Sequence, residues 1–468
     1  MDIRMKTYDL LTSVRLRLRR DVPLRSLAMA VAGAVLLTSC SATEILEVQD
    51  PDIVNPSDVQ SVAGANAVRL GALARLNAAT SGEESLLLLG GLLADEWING
   101  DSFIARQEID QRTVTRENNF LTTANRNLHR ARLSAEQAVV LLEEYNAGAP
   151  GWQRAEMFFV QGYVINLQAE HYCSGLVFST VEGGVLSYGS PITSVAAYER
   201  ALASVDQGLS LVTGSTVDDV RVRYALRVLR GRVLMNLNRL PDAATAVAGV
   251  PTNFAYTMLH AATSTSNQTW NFNNLARRYS VSASEGVNGL PFATANDPRL
   301  GICQGGDVAC RALGVTINSR DDLLRPIYVQ TIWPARESPV TISGGIEARL
   351  IEAEAQLKAA NAAAALATLN AARSTVAGLA PLTDAGSEAG RLDQLFRERA
   401  FWLFGRGTRV GDLRRLIRQY GRAQASVFPT GGWHKGGNYG TDVNFPNPQA
   451  EDNNPNVPTG QSCIDRNA

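Results

Sequence analysis

Two pairs of helical segments, each pair joined by a very short turn, constrain the fold of this 468-residue chain more than any other feature. Apolar residues recur at helical spacing in residues 219–238 and 241–247, and again in residues 346–358 and 362–376. Small alanines on the facing sides let the paired helices approach closely. The two pairs predict tetratricopeptide-like helical hairpins, although the fixed period of true tetratricopeptide repeats is absent.

Most of the remaining chain also has helical periodicity. The segment 152–172 is apolar on most of its sides, which predicts a central, buried helix. Further helices are predicted at residues 57–78, 84–98, 117–145, 193–211, 393–404 and 409–420. Ser57 follows an Asn-Pro pair and is the expected N-cap of the first of these helices. The fold class is therefore mainly α.

Two long regions lack this periodicity. Residues 252–339 and 427–468 are rich in small polar residues and glycine, yet they contain many aromatic residues, which favours order. We interpret them as an irregular, loop-rich subdomain packed on a helical scaffold. The predicted parts are a helical body (57–250 and 345–425), an irregular subdomain (251–344) and a C-terminal tail (426–468).

The first forty residues have the composition of a bacterial lipoprotein signal. A basic arm precedes an apolar stretch, residues 27–37, that is too short to span a bilayer. The tetrapeptide LTSC that ends at Cys40 fits a lipobox, in which the cysteine receives a diacylglycerol and becomes the first residue of the mature chain. The predicted divisions are a signal peptide (1–39), a lipidated N-terminus and linker (40–56) and a single binding domain (57–468).

The overall composition narrows the classes of partner. The formal net charge is −1 and the pI is about 6.5, so the chain lacks the basic excess that a nucleic-acid surface needs. The four histidines are dispersed singly, and none has a partner at metal-ligand spacing. We therefore expect no nucleic-acid partner, no metal and no cofactor, and we expect the lipid on Cys40 to be the contact with a membrane.

Four cysteines remain after Cys40, and export to an oxidising compartment favours disulfides between them. Three pairings are possible. Cys303 and Cys310 enclose a short loop with two adjacent glycines, so we favour that pair, which leaves Cys173 with Cys463. Four buried thiols are the alternative.

Several segments, in order along the chain, resemble the RagB/SusD family of outer-membrane lipoproteins. The matched segments are LEVQDP at 46–51, the helix at 156–172, the hairpin at 225–244, DPRL at 297–300, the helix pair at 347–373, RERAFWLFGRGTRVGDLRR at 397–415 and YGTDVNFPNPQAEDNNPN at 439–456. One departure is Arg406, which stands where the family commonly has glutamate. The resemblance implies a SusD-like, mainly helical fold.

The resemblance also implies a function. It points to an outer-membrane lipoprotein that faces the cell surface and captures an oligosaccharide or a peptide without altering it. The implied partner is a TonB-dependent, SusC-like transporter that lies beneath the lipoprotein. Sugars present apolar faces that stack on aromatic rings. The candidate ligand-binding aromatics are Trp97, Trp270, Tyr279, Tyr328, Trp333 and Trp433, each of which could instead be a packing residue.

The charged residues of the matched segments favour a structural role. Arg409 and Asp412 lie close together on one predicted helix, and buried charges need partners, so we expect them to hold helices together. Asp297 and Arg299 belong to the DPR segment, which we interpret as a lock on a loop because Asp accepts from backbone amides and Pro fixes a turn.

Two other function classes compete with a nutrient-binding lipoprotein. A helical interaction scaffold without a small ligand is compatible with the hairpins but leaves the aromatic-rich loops unexplained. A secreted hydrolase would need a carboxylate pair such as Asp95 and Glu96, but adjacent helical residues point in different directions, and the common hydrolase motifs are absent. The sequence leaves the identity of the ligand open.

Overall fold

The computed structural model describes residues 59–182, 185–304, 307–311, 320–458 and 463–468. The predicted signal peptide, Cys40 and the linker up to residue 56 lie outside the described residues. Among the described helices, none is both long and apolar enough to cross a membrane.

Helices make up most of the described chain. In order they are α1 (Val62–Asn77), α2 (Leu86–Leu93), α3 (Ile104–Asp110), α4 (Asn119–Tyr145), α5 (Gly151–His171), α6 (Ser194–Leu211), α7 (Val217–Asn236), α8 (Leu240–Val247), α9 (Gln268–Trp270), α10 (Val308–Arg311), α11 (Gly345–Lys358), α12 (Ala362–Arg373), α13 (Glu388–Trp402), α14 (Arg409–Arg418) and α15 (Gln424–Val427). Single π-helical turns lie at Ala78–Gly82 and Asn271–Leu275, and a 3₁₀ turn lies at Gln449–Asn453. The prediction of a mainly α fold is confirmed.

Side-chain caps define several helix starts. The hydroxyl of Ser61 accepts from the backbone of Gly64 and begins α1. The predicted N-cap, Ser57, lies outside the described residues. Thr216 and Asp219 form a reciprocal capping box at α7. Such caps satisfy backbone donors that have no partner inside the helix.

The two predicted hairpins are present and pack on each other. Helices α7 and α8 form one pair, α11 and α12 form the other, and α8 packs directly against α11. Their shared core includes Leu234 and Val247 from the first pair and Ala348 and Ile351 from the second. The interface explains the small residues, because a bulkier side chain at Ala348 would separate the helix axes.

Helix α5 is the centre of the helical body, as its all-round apolar character predicted. It packs against α4, α6 and α7, and its residues from Ala155 to His171 are buried with the exception of Phe158, which is half-buried. Gly162 makes one of these contacts close, since a Cβ there would lie 2.7 Å from Val205 Cγ2.

Within the described ranges, the strands form four two-stranded antiparallel ladders. They pair β1 (Trp97–Asn99) with β5 (Tyr279–Val281), β2 (Thr180–Glu182) with β3 (Val185–Ser187), β4 (Ala255–Met258) with β8 (Val340–Gly344), and β6 (Ile302–Gln304) with β7 (Tyr328–Gln330). Strand β1 corrects the predicted helix at 84–98, which ends at Leu93. The β1–β5 ladder joins the helical body to the loop-rich region, with Trp97 opposite Val281.

Both favoured disulfides are present. Cys173, just after α5, is bonded to Cys463, 290 residues further along the chain. The tail also hydrogen-bonds beside this bridge, because Ile464 donates from its backbone to the carbonyl of Ser174. Cys303 is bonded to Cys310, and both pack against Ile327 and Val329.

Candidate functional site

Buried ion pairs connect α14 to the rest of the helical body. Arg409 donates two hydrogen bonds to Asp95, at 2.6 and 2.8 Å. Asp412 accepts from Arg399 and from Arg415, and Arg415 also binds Glu354. Burial opposes ionisation of Asp412, but the two guanidinium groups outweigh it and lower the pKa of Asp412 to about 2. These contacts all run to protein groups, which a structural role requires.

The DPR segment makes a second network of this kind. Asp297 accepts from the backbone and from the guanidinium of Arg299. Arg299 then reaches Glu398 on α13 at 2.7 Å, and Arg373 on α12 binds the same carboxylate at 2.6 Å. Burial alone would raise the pKa of Asp297, yet Arg299 holds it below its usual value. The segment thus joins a loop of the irregular region to two helices.

The carboxylates considered for hydrolysis are both buried. Asp95 is 1% exposed and is occupied by Arg409 and by the backbone of Leu290. Glu96 is fully buried, accepts from the backbone of Gly405, and has its pKa raised to about 8 because burial disfavours the charged form. Neither group faces solvent, so the geometry gives the hydrolase interpretation no support.

Three of the six aromatic candidates are core residues. Trp97 and Tyr279 are fully buried and Trp333 is 2% exposed. Trp97 packs against Phe404 and Tyr279, and the Tyr279 hydroxyl donates to Glu84. Stacking on a sugar needs a free ring face, so the structure corrects the interpretation of these three as ligand-binding residues.

Trp433 holds a C-terminal loop in place. The residue is 9% exposed, and its indole nitrogen donates to Asp110 at 3.1 Å. The neighbouring His434 also contacts Asp110, at 2.6 Å from Nε2, while its Nδ1 accepts from Arg325. These bonds leave little of the indole available to a ligand.

Trp270 and Tyr328 are the two predicted aromatics that remain partly exposed. Trp270 ends the one-turn helix α9, and the guanidinium carbon of Arg336 lies 5.5 Å from its ring centroid. Tyr328 begins β7, and its backbone accepts from Asn273. Both side chains are half-buried and pack against the main hydrophobic core.

A more exposed aromatic, Phe103, was missed from the sequence. It lies in the loop between β1 and α3 and is 51% exposed. The loop is rigid at its base, because Asp101 accepts from the Phe103 backbone at 3.0 Å and Gly100 donates to the carbonyl of Arg278 at 2.9 Å. Gly100 is required there, since a Cβ would lie 2.7 Å from the carbonyl oxygen of Arg277.

Fixed charges surround the Phe103 ring. The guanidinium carbons of Arg106 and Arg278 each lie 5.1 Å from its centroid, and both groups donate to Asp101. Lys435 binds Asp322, at 2.8 and 2.7 Å, and also reaches the Asp101 carbonyl. We call Asp101, Phe103, Arg278, Asp322 and Lys435 the Phe103 surface.

Arg106 supports this surface from below. It is 3% exposed and binds Glu84 through two hydrogen bonds. The rings of Phe120 and Phe272 lie 4.5 and 5.5 Å from its guanidinium carbon. Burial lowers the pKa of Arg106, but Glu84 more than reverses this and raises it overall. The guanidinium is therefore a permanent positive charge within an aromatic cluster.

The signal that could have found Phe103 is its local sequence. The run Asn-Gly-Asp-Ser is a polar turn, and Phe103 and Ile104 follow it directly. Apolar residues beside a polar turn are candidates for exposed apolar side chains.

Within the described residues, no group of three or more His, Cys, Asp or Glu side chains could hold a metal ion. The surface therefore combines one apolar ring with fixed hydrogen-bonding groups, a combination suited to a neutral polar ligand.

No protein-family model and no curated protein matches this chain. Solved structures do match its fold. A SusD superfamily protein from Bacteroides thetaiotaomicron is 16% identical and aligns over 86% of this chain and 100% of its own, with a TM-score of 0.60. One from Parabacteroides distasonis is 15% identical over 85% of this chain and 98% of its own, with a TM-score of 0.61. A SusD-like carbohydrate binding protein from Bacteroides vulgatus is 14% identical over 75% of this chain and 83% of its own, with a TM-score of 0.52.

Proposed function

The chain has the SusD-like fold, and from that premise we propose that it is a receptor that binds a glycan and does not alter it. The observation that carries the proposal is an exposed aromatic ring held rigidly among charged groups on this fold. A structural neighbour of the same fold is described as carbohydrate binding, which supports this ligand class. The occupied, buried state of Asp95 and Glu96 is consistent with binding without hydrolysis.

The Phe103 surface offers what sugar recognition needs. The half-exposed ring supplies an apolar face for the C–H groups of a pyranose. Asp101 and Asp322 accept hydrogen bonds, and Arg278 and Lys435 donate them. These four groups already bind one another, so they are oriented before a ligand arrives and lose little conformational entropy on binding.

We also propose where the receptor acts. Cys40, with its lipobox, would carry the lipid that tethers the mature chain to the outer membrane, facing the cell surface. The partner would be a TonB-dependent, SusC-like transporter that imports the captured glycan. Isolation of the tagged full chain from native membranes tests this partner: a co-purifying outer-membrane barrel supports it, and recovery of the chain alone from mild detergent contradicts it.

A binding experiment with the mature domain tests the glycan ligand. The wild-type domain is passed through affinity gels that contain starch, xylan, mannan or pectin, and Phe103→Ala is compared with it. We predict retardation by at least one polysaccharide and a loss of affinity of at least about tenfold in the variant, because one stacking face is removed.

Tyr188→Ala is the matched control, because Tyr188 is also an exposed aromatic, 45% exposed, but lies just after β3. This control should bind as the wild type does. Retardation of Phe103→Ala equal to that of the wild type would exclude the Phe103 surface as the glycan site.

One observation favours the alternative of a protein-interaction scaffold. The β2–β3 hairpin exposes Val181, Val185 and Leu186 by 52%, 70% and 49%, although such side chains normally avoid solvent. Glycan binding that is unaffected by Phe103→Ala, together with loss of a protein partner on Leu186→Ser, would favour that alternative.

A further inference from the structure

A short turn beside the Phe103 surface carries two exposed leucines. Arg320 and Pro326 form an antiparallel bridge, and the chain reverses between them over residues 321–325. In this turn Leu323 is 49% exposed and Leu324 is 75% exposed. Two adjacent apolar side chains on one turn leave apolar surface uncovered, and such surface often marks a contact site.

The backbone of Leu324 is strained. Its φ is 61°, in the left-handed region that glycine and asparagine tolerate and that a bulky side chain avoids. Two other described residues with a left-handed φ, Asn238 and Asn296, are asparagines, and Ala360 is small. Because the side chain of Leu324 is mostly exposed, packing within the described chain does not offset its strain. Strained positions of this kind cluster where a ligand is held.

Hydrogen bonds fix the turn in this conformation. The carboxylate of Asp321 is buried and accepts from the backbones of Leu323 and Arg325, at 3.0 and 2.7 Å. The guanidinium of Arg325 donates to the same carboxylate at 2.6 Å, and Arg320 donates to the carbonyl of Leu324 at 3.0 Å. The two leucines are therefore presented by a preorganised turn, so a ligand that covers them loses little conformational entropy.

The turn is continuous with the Phe103 surface. Asp322, which directly precedes the two leucines, belongs to that surface, and its backbone donates to the carbonyl of Gly100 at 3.0 Å. Lys435 binds both the carboxylate of Asp322 and the carbonyl of Asp101, so it joins the turn to the loop that carries Phe103. A ligand that binds the polar groups of the surface is therefore close to the leucine turn.

Leucine side chains do not suit the ring of an unmodified sugar. A pyranose stacks its C–H face on an aromatic ring, and its other groups are hydroxyls that lose hydrogen bonds against an aliphatic surface. An acyl ester on a sugar hydroxyl changes this, because it replaces a donor with an apolar methyl group and a carbonyl that accepts. Arg278, whose side chain is 34% exposed, has N–H groups available for such a carbonyl.

We propose that the Phe103 surface and the 321–325 turn together bind an O-acetylated polysaccharide, and that Leu324, with Leu323, sets the preference for the acetylated form. The inference rests on the proposed function, because the Phe103 surface must hold the sugar, and it adds the class of substituent. It also explains why the turn keeps a leucine at a strained position: glycine or asparagine would relieve the backbone but remove the apolar contact.

Calorimetric titration with matched oligosaccharides tests this preference. The probes are acetylated xylo-oligosaccharides and acetylated glucomannan oligosaccharides, each compared with the same preparation after mild alkali has removed its esters. We predict that the mature domain binds at least one acetylated preparation about threefold or more tightly than its deacetylated counterpart, as expected for the burial of about one methyl group.

Leu324→Asn separates the contact from folding. Asparagine tolerates a left-handed φ, so the variant should fold and should melt no lower than the wild type. The ratio of its affinities for the acetylated and deacetylated preparations should fall to about one. A purely structural role for Leu324 would instead lower both affinities and the melting temperature together.

Leu259→Asn is the matched control. Leu259 is 72% exposed, but it follows β4, which contributes no residue to the Phe103 surface, so this variant should keep the preference. Equal affinities for the acetylated and deacetylated forms of both oligosaccharides would overturn the inference. A preference that survives in Leu324→Asn, or no binding of any of the four preparations, would overturn it as well.

The result also separates this inference from the proposed function. If Phe103→Ala abolishes binding of acetylated and deacetylated preparations alike but the wild type shows no preference, only the inference about the acetyl group fails. If Leu324→Asn removes the preference while Phe103→Ala leaves every affinity unchanged, the assignment of the Phe103 surface fails.

Discussion

Many buried charges in this chain depend on an oppositely charged partner. The pair formed by Asp95 and Arg409 shows this, because both side chains are almost fully buried and each has the other as its ionic partner at 2.6 Å. Desolvation of the two ions is expensive, and removal of one leaves the other uncompensated. Arg409 was predictable as a structural residue from its charged neighbours on α14, but its partner, 314 residues earlier, was not.

Arg409→Met should therefore be strongly destabilising. We predict a loss of about 3–5 kcal/mol in the free energy of unfolding, because Asp95 is left buried without a counter-ion. Urea unfolding of the mature domain measures it. Arg422→Met, which removes a surface partner of Asp393, should lose less than about 1 kcal/mol. Similar losses in the two variants would show that the buried pair is not structural.

Glu96 gives a prediction for pH. Its pKa is raised to about 8 by burial, from an ordinary value of 4.5. Below about pH 4.5 the carboxyl is protonated in both states. Between pH 4.5 and 8 only the unfolded chain releases the proton, so Glu96 makes the free energy of unfolding fall as pH rises. Above about pH 8 the carboxyl is ionised in both states, and its contribution no longer changes with pH.

Glu96→Gln removes that dependence while keeping the shape. We expect the variant to gain stability relative to the wild type as pH rises from 5 to 8, by up to a few kcal/mol, and to differ little at pH 4.5. Urea unfolding at each pH provides the comparison. A difference between the two proteins that does not change with pH would contradict the assignment of a buried, protonated Glu96.

At the scale of elements, local patterns predicted the helices and long-range contacts decided the exceptions. The hairpins α7–α8 and α11–α12 follow from spacing and short turns. The predicted helix at 84–98 ends early because Trp97 pairs with Val281 in another part of the chain. Long-range contacts also bury Trp97 and Trp333. Composition alone does not show that polar-rich segments pack their aromatic side chains inward.

The candidate glycan site was only partly predictable, because long-range contacts decide which aromatic side chains are exposed. Aromatic residues in the irregular region were the predicted candidates, and two of them, Trp270 and Tyr328, do reach the surface in part. Phe103 was overlooked because it lies within the predicted helical body rather than in the irregular region. Its exposure depends on Gly100 and Asp101, which turn the loop outward.

The two disulfides should contribute unequally to stability. The bond between Cys173 and Cys463 closes a loop of 290 residues, whereas the bond between Cys303 and Cys310 spans seven. Loop-closure entropy then favours the long loop, about 6 against about 2 kcal/mol as upper estimates. We predict a larger fall in Tm for Cys173→Ser/Cys463→Ser than for Cys303→Ser/Cys310→Ser, measured by calorimetry. The reverse order would contradict a role for the tail bridge in stability.

At the scale of the whole molecule, the helical body, the irregular region and the C-terminal tail each contribute residues to the proposed glycan contacts. The ion-pair networks of α14 and the DPR segment join the helical body to the irregular region, so the Phe103 surface is held on a preorganised support. The lipid predicted on Cys40 would limit such a receptor to the membrane surface, where a captured glycan can reach a transporter. Tether, fold and binding surface together define the proposed receptor.

Binding of a fluorescent polysaccharide to intact cells tests this receptor most directly. The polysaccharide is the one most strongly retarded by the purified domain, and the cells produce the full chain, Phe103→Ala or Cys40→Ala. We predict bright cells for the wild type, and dim cells for Phe103→Ala at equal surface abundance and for Cys40→Ala, which lacks the tether. Cells with Phe103→Ala that are as bright as the wild type would contradict glycan capture at this surface.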